Sequence, residues 1–265
     1  MTEIAQRVQT AQDQASTIEP ITQSNPGFSL TDGYRVAASI QTARIQAGAQ
    51  FVGRKIGFTN KELWKQFGVE APIWGAIYDH SLVAATNGKS SLSLAAFSEP
   101  RIEPEIALHF HKAPPMNATA AELVGCIDWV AHGFEIVQSH FPGWRFTAAD
   151  AVADGSLHGA LLLGTPCSIQ AFGSDVAAQL EQATVTLSCD GAVRQVGTGA
   201  NVMGNPLNAV AHLVAELARA GMAPIAAGEL ITTGSMTAAY AVSPGEQWSS
   251  TFEHGPLSGL SVVFQ

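Results

Sequence analysis

The sequence predicts an α+β fold, with a small, mainly helical N-terminal region over residues 1–72 and a β-rich domain over residues 73–265. Three observations predict it. Residues 2–18 and 32–48 carry apolar side chains at helical spacing among Ala, Gln and Arg. From about residue 73 the texture changes to short apolar runs broken by Gly, Pro, Asn and Asp, as a β-rich domain requires. Asp190-Gly191 between two alternating runs is a strong two-residue hairpin signal.

In order along the chain, Thr31 and Asp32 are capping candidates for the second helix. A strand follows from Phe51 to Phe58, and Thr59 or Asn60 can cap a short helix through Phe67 that Gly68 ends. Strands are predicted at Thr184 to Cys189 and Ala192 to Val196, flanking the hairpin turn. One good helix returns from Pro206 to Ala220, with Pro in its first turn and Gly221 past its end. The chain closes on strands near Leu230, from Trp248 to Phe252 and from Leu260 to Phe264.

Composition narrows the function. A formal net charge of -9 disfavours nucleic acid and anionic membrane as partners. Charged residues make up only 13% of the 265, against about a quarter in a typical globular protein. That scarcity favours a homo-oligomer, in which more surface is buried. No apolar run approaches the ~20 residues that span a bilayer, and residues 1–7 lack a basic start and apolar core of a secretory signal. The expectation is a cytoplasmic protein. Cys126, Cys167 and Cys189 are odd in number and widely spaced, so they imply neither a disulfide framework nor a zinc site.

The run from Pro100 to Phe110 holds the most chemistry. In a strand, Glu103 and Glu105 share one face while Ile102, Ile106, Leu108 and Phe110 line the other. Adjacent carboxylates repel and raise each other's proton affinity, so the pair calls for a cation. Oxygen-only donors suit a hard divalent ion such as Mg²⁺, Ca²⁺ or Mn²⁺ rather than zinc. Taken alone, the pair also fits a solvated sheet face. Glu135, inside the apolar run His132 to Ser139, would complete half an octahedral shell and leave positions for water and a chelating 2-oxo acid.

Further candidates surround this core. Lys55, between apolar neighbours Ile56 and Phe58, can neutralise a carboxylate or move a proton, or can reach solvent from a strand end. Asp79 can pair with Lys55 or begin a turn, and Asp154 in Ala-Asp-Gly has the same ambiguity. His158, before an apolar strand, is a candidate acid or base, or a structural histidine beside Gly159. Arg101 and the hydroxyl-rich loop with Gly234 and Ser235 are substrate-binding candidates. Gly197-x-Gly199 does not make a dinucleotide fingerprint, and neither a P-loop nor a G-x-S-x-G elbow is present.

Lys55-Ile-Gly-Phe-Thr59, Pro100-Arg-Ile-Glu-Pro-Glu-Ile-Ala107, Phe134-Glu-Ile-Val137, Asp150-x-Val-Ala-Asp154 and Gly234-Ser235 occur together and in order. In that combination the chain resembles the fumarylacetoacetate hydrolase superfamily, and within it the 2-keto-4-pentenoate hydratase and 4-oxalocrotonate decarboxylase group. The resemblance implies a mixed β-sandwich roll with a smaller N-terminal region, oligomeric assembly, and Mg²⁺ or Mn²⁺ on Glu103, Glu105 and Glu135. It implies that Lys55 and Asp79 work near the substrate and that Ser235 lies beside its carboxylate. The implied activity is that of a lyase, hydratase or decarboxylase, on an unsaturated 2-oxo acid left by aromatic ring cleavage. The alternatives are a hydrolase of a C-C bond or lactone on the same fold, and a silent partner subunit of a related enzyme. Family hydratases follow the Val-Ala-Asp segment with Asn-Ala-Ser-Ser-Gly, where this chain has Gly155-Ser-Leu-His-Gly159. Leu157 and His158 therefore alter the pocket, and His158 is the candidate for a new acid or base.

Overall fold

In the computed structural model, residues 2–61, 64, 69–253 and 255–265 are described. Three helices lead the chain: α1 (Glu3–Gln14), α2 (Ile21–Ser24) and α3 (Leu30–Gln46). Helix α1 is shorter than predicted because Ala15 turns left-handed, with φ 48°. Helix α3 starts one residue before Thr31, the first of the predicted caps. Ser29 is its cap, accepting from Asp32 N at 3.2 Å while the Asp32 carboxylate accepts from Ser29 N at 3.0 Å. The short helix predicted from residue 59 or 60 to 67 falls largely outside the described residues.

The strands then build two sheets. They are β1 (Phe51–Gly57), β2 (Ile73–Tyr78), β3 (Leu82–Ala84), β4 (Lys89–Leu92), β5 (Arg101–Phe110), β6 (Ile127–Val137), β7 (His158–Leu163), β8 (Cys167–Ser168), β9 (Thr184–Cys189), β10 (Ala192–Thr198), β11 (Leu230–Ser235), β12 (Tyr240–Ala241), β13 (Gln247–Glu253) and β14 (Ser261–Phe264). Four helices interleave: α4 (Ala120–Val124), α5 (Ala148–Ala153), α6 (Val176–Gln182) and α7 (Pro206–Arg219). The large sheet runs β2-β1-β11-β5-β6-β7-β3, with β12 on β5 and β8 on β6; the small one runs β10-β9-β13-β14-β4. Asp190 and Gly191 both have positive φ, 51° and 78°, as the tight hairpin turn between β9 and β10 demands.

Strand β1 pairs parallel with β11 and antiparallel with β2. The sequence-derived division at residue 72 thus separates two strands of one ladder, and we place the change from helical to β-rich structure after α3 instead. Helices α1 to α3 bury Val8, Ile21, Val36 and Ile40 against Ala153 of α5, which fastens the helical layer to the β-rich part.

Alternation along β5 fixes everything that follows. Ile102 on its even face packs with Phe134 and Ile136 of β6 onto Leu187, Trp248, Val262 and Phe264 of the small sheet. Ile106, Leu108 and Phe110, on the same face, pack with Leu207, Val210 and Leu213 of α7. The odd face looks into a curl of the large sheet, where Ala107 meets Ile77 of β2, Leu161 of β7 and Leu230 of β11. The mixed roll expected from the resemblance is thus present, and Glu103 and Glu105 lie on its inner face. Cys126 and Cys189 are buried, Cys167 is partly so, and all three thiols are free.

Candidate metal centre

Strand register assembles the carboxylates. In the β5-β6 ladder Glu103 stands directly opposite Glu135, and Glu105 is two residues along on the same face. One oxygen from each lies within 4.8 Å of the others. Like charges paired across a ladder destabilise a sheet, so the arrangement requires compensation. Lys55 supplies part of it, with Nζ 3.2 Å from Glu135 Oε2 and both side chains buried. Gly57, two residues on, leaves that ammonium room: a Cβ there would sit 3.2 Å from Nζ.

Backbone irregularities aim the group. Strand β11 shifts register against β5 between Thr232 and Ser235, a bulge that holds Gly234 at φ 103°. Gly234 N donates to Glu105 Oε2 at 2.9 Å. Pro104 fits this central strand because its carbonyl accepts from Met236 N at 2.9 Å, so its missing N-H falls on the side where the ladder already shifts. His132 Nδ1 donates to the Glu105 carbonyl at 3.0 Å.

Electrostatics separates the three acids. Burial raises the Glu103 carboxyl to about 7, eased by Lys55 and aggravated by Glu135. Burial, then repulsion from Glu135 and Glu103, pushes Glu105 well above the carboxylate range. Burial also opposes charge on Glu135, but Lys55 and the His158 hydrogen bond outweigh it and hold this carboxyl below its ordinary value. At Lys55, burial opposes the ammonium, yet Glu135, Glu103 and Glu105 together raise its pKa. Glu105 Oε1 is buried with no hydrogen-bond partner. An all-oxygen donor set with an orphaned carboxylate oxygen and more negative than positive charge fits a hard divalent cation.

Glu103 is half-buried and opens, with Lys55, on a pocket of about 150 Å³. Arg101 and Ser235 line it, and Val137, Leu157, Ala238 and Ala239 give it apolar walls. The Arg101 guanidinium lies 4.1 Å from the centre of the Trp144 ring, and Trp144 is fixed in turn by its Nε1 donating to the Glu99 carbonyl at 3.0 Å. Ser235 Oγ accepts from Thr237 N at 3.3 Å. Ser156 and Leu157, also in the wall, have φ of 57° and 66°. Two consecutive left-handed residues other than glycine are strained, and Ser156 Oγ donating to the Trp74 carbonyl at 2.6 Å holds the bend.

Three sequence-derived candidates stand elsewhere. Asp79 lies four residues beyond Gly75, the partner of Lys55 in the β1-β2 ladder, about 13 Å along the strand at roughly 3.3 Å per residue. Its carboxylate accepts from Gln50 N at 3.0 Å, which makes it a strand-end anchor and not a partner of Lys55. Asp154 caps α5 from beneath and turns to His140 Nδ1, at 2.8 and 2.9 Å, and to Gln12 Nε2 at 3.1 Å, tying α1 to the β-rich part. His158 touches the cluster but not the pocket: its Nδ1 is 2.8 Å from Glu135 Oε1. Trp144 was no candidate from the sequence, and Thr59 only a helix-cap one. Trp144 had no signal beyond its own bulk. Thr59 had one, since it follows Lys-Ile-Gly-Phe; its Oγ1 lies 1.9 Å from where a Cβ on Gly234 would be, so hydroxyl and bulge are packed face to face.

Known proteins resemble the chain in sequence and fold. The fumarylacetoacetate hydrolase C-terminal family matches residues 72–259. The chain is 31% identical to a 2-keto-4-pentenoate hydratase of Paraburkholderia xenovorans, over 98% of this chain and 97% of that protein. It is likewise 31% identical to a 4-oxalocrotonate decarboxylase of Pseudomonas putida, over 98% of this chain and 95% of that one. The solved 4-oxalocrotonate decarboxylase from Pseudomonas putida G7, complexed with magnesium and adipate, superposes with a TM-score of 0.90 at 29% identity, covering 99% of this chain and 96% of that chain. With the family match running through β2 to β13 and relatives aligned from end to end, this chain belongs to the fumarylacetoacetate hydrolase family.

Proposed function

We propose that the chain is a divalent-metal-dependent lyase, of the hydratase or decarboxylase type, acting on a small unsaturated 2-oxo acid or its 2-hydroxydienoate form. The observation that carries this reading is the Glu103, Glu105 and Glu135 cluster with Lys55 beside it, opening on one small pocket. Mg²⁺ or Mn²⁺ is the ion we assign, held by those three carboxylates. When bound it would supply a Lewis acid that polarises the 2-oxo group and stabilises negative charge on the adjoining carbon.

The chain's own residues supply the rest. Lys55, kept protonated by its carboxylate neighbours, holds a proton at Nζ on the pocket wall and delivers it to substrate carbon or takes it back. Arg101, steadied over Trp144, meets a substrate carboxylate, and the Ser235 hydroxyl orients it. Val137, Leu157, Ala238 and Ala239 exclude water from the conjugated chain. The names of the relatives, hydratase and decarboxylase, support this class. The low share of charged residues, 13% of the chain, supports a homo-oligomer, and we infer a cytoplasmic one; among the described residues no helix is long and apolar enough to cross a membrane.

The test is a direct assay of the purified chain with Mg²⁺ on 2-hydroxypenta-2,4-dienoate and on 4-oxalocrotonate. A 4-hydroxy-2-oxo acid from the dienoate, or CO₂ from 4-oxalocrotonate, should form, stop with a chelator and return with metal. Turnover that survives chelation would refute the reading. Cleavage of a C-C bond or lactone without hydration or CO₂ release would move the chain to the hydrolases, and inactivity alone with activity beside a related subunit would make it a partner.

A further inference from the structure

With Leu157, His158 sets this chain's Gly155-to-Gly159 segment apart, and its ring faces away from the substrate pocket. It lines a second cavity of about 350 Å³, walled by Tyr34, Trp74, Tyr78 and Phe97. The two cavities share no lining residue. The strained bend at Ser156 and Leu157 explains the division: it sends Leu157 into the substrate pocket and His158 to the opposite side.

The contacts of the ring define its work. Nδ1 faces Glu135 Oε1 at 2.8 Å, so that nitrogen carries the hydrogen and donates it. Nε2 is 2.9 Å from Ser81 Oγ. Ser81 is itself held at the end of β2, where its Oγ accepts from Tyr78 N at 3.2 Å and contacts the Tyr78 carbonyl at 3.0 Å. The other oxygen of Glu135 belongs to Lys55, at 3.2 Å. With the Glu135 side chain fully buried and that of His158 only 6% exposed, the carboxylate is gripped at both oxygens from two sides.

We propose that His158, supported by Ser81, is a positioning residue for Glu135: it fixes the plane of that carboxylate and so sets the affinity of the three-carboxylate site for its divalent ion, without touching substrate. The inference rests on the metal reading above. Hydrogen bonds to ligating groups matter in this way because a carboxylate free to rotate must be ordered by the ion itself, and removing such a partner costs about 10- to 100-fold in metal affinity.

The experiment is Mn²⁺ titration of metal-free protein, with free Mn²⁺ read by electron paramagnetic resonance, on the wild type, His158→Ala, His158→Asn, Ser81→Ala and Glu105→Gln. His158→Ala should bind about 10- to 100-fold more weakly, and its lost turnover should be relieved by raising Mn²⁺. His158→Asn, which keeps an N-H near the Nδ1 position, should recover most of the affinity. Ser81→Ala should show a smaller loss of the same sign, and it carries the test if His158→Ala fails to fold. Wild-type affinity in both His158→Ala and Ser81→Ala overturns the positioning role, as does a fall in turnover that added Mn²⁺ does not relieve. Glu105→Gln separates the two readings: if it binds Mn²⁺ as tightly as the wild type, or the wild type binds none, the three-carboxylate site itself is wrong.

Discussion

Glu103 and Glu135 face each other across a ladder, with Glu105 beside them and one lysine for three acids. At this scale the charge of Lys55 is the decisive quantity. In the metal-free site the carboxylates raise its pKa against the opposing effect of burial, and the proposal makes Lys55 the proton donor. Lys55→Met should lower kcat by about 10²- to 10⁴-fold, the usual worth of a placed acid or base, while the Mn²⁺ stoichiometry stays at the wild-type value; a kcat within a few-fold of wild type would remove Lys55 from the chemistry. The acids were legible in sequence because an i, i+2 pair inside an apolar strand has one face to share. Asp79 and Asp154 were not, because an aspartate beside a turn can serve a backbone N-H as readily as a substrate. Their carboxylates went to Gln50 N and to His140.

Among the elements, the bulge in β11 does most to aim the site. It brings Gly234 N to Glu105 Oε2 and packs Gly234 onto Thr59. Gly234→Ala should clash there as well as strain the φ of 103°, and chemical denaturation should show a loss of about 1–3 kcal/mol with weakened Mn²⁺ binding. The Ser29 cap of α3 is a separate matter: Ser29→Ala should cost about 1 kcal/mol of stability and leave Mn²⁺ binding untouched. Long periodic elements such as α7 and the β9-β10 hairpin were readable because each carries its own start and stop signals. The one-turn helices α4 and α5 were missed, yet both open on capping boxes, Thr119 with Glu122 and Thr147 with Asp150. Those pairs were the available signal, drowned by the Ala-rich stretches around them.

At the scale of the whole molecule, a buried histidine bridges the two sheets beside their apolar contact. His132 on β6 donates from Nδ1 to the Glu105 carbonyl and presents Nε2 to Ser250 Oγ on β13 at 2.8 Å, packed edge-on against Phe134 and Phe252. Burial lowers its pKa to about 4, below the ordinary 6.5. Above pH 6.5 folded and unfolded chains are both neutral at this site and no stability is lost. As pH falls from 6.5 toward 4 the unfolded chain takes up a proton that the folded chain refuses, so stability declines, by roughly 2 kcal/mol at pH 5 and about 3 kcal/mol in the limit. Urea midpoints at pH 7 and pH 5 should therefore converge when wild type is compared with His132→Asn, and parallel curves would contradict it. The register of β5 and β6 sets Glu103, Glu105 and Glu135 together where, in the proposal above, they hold a single divalent ion. A crystal soaked in Mn²⁺ tests it most directly, through the anomalous difference map. One strong peak per chain is expected, bonded to Glu103, Glu105 and Glu135 at the mouth of the Lys55 pocket. A map with no peak there, or with Mn²⁺ held by other residues, would contradict it.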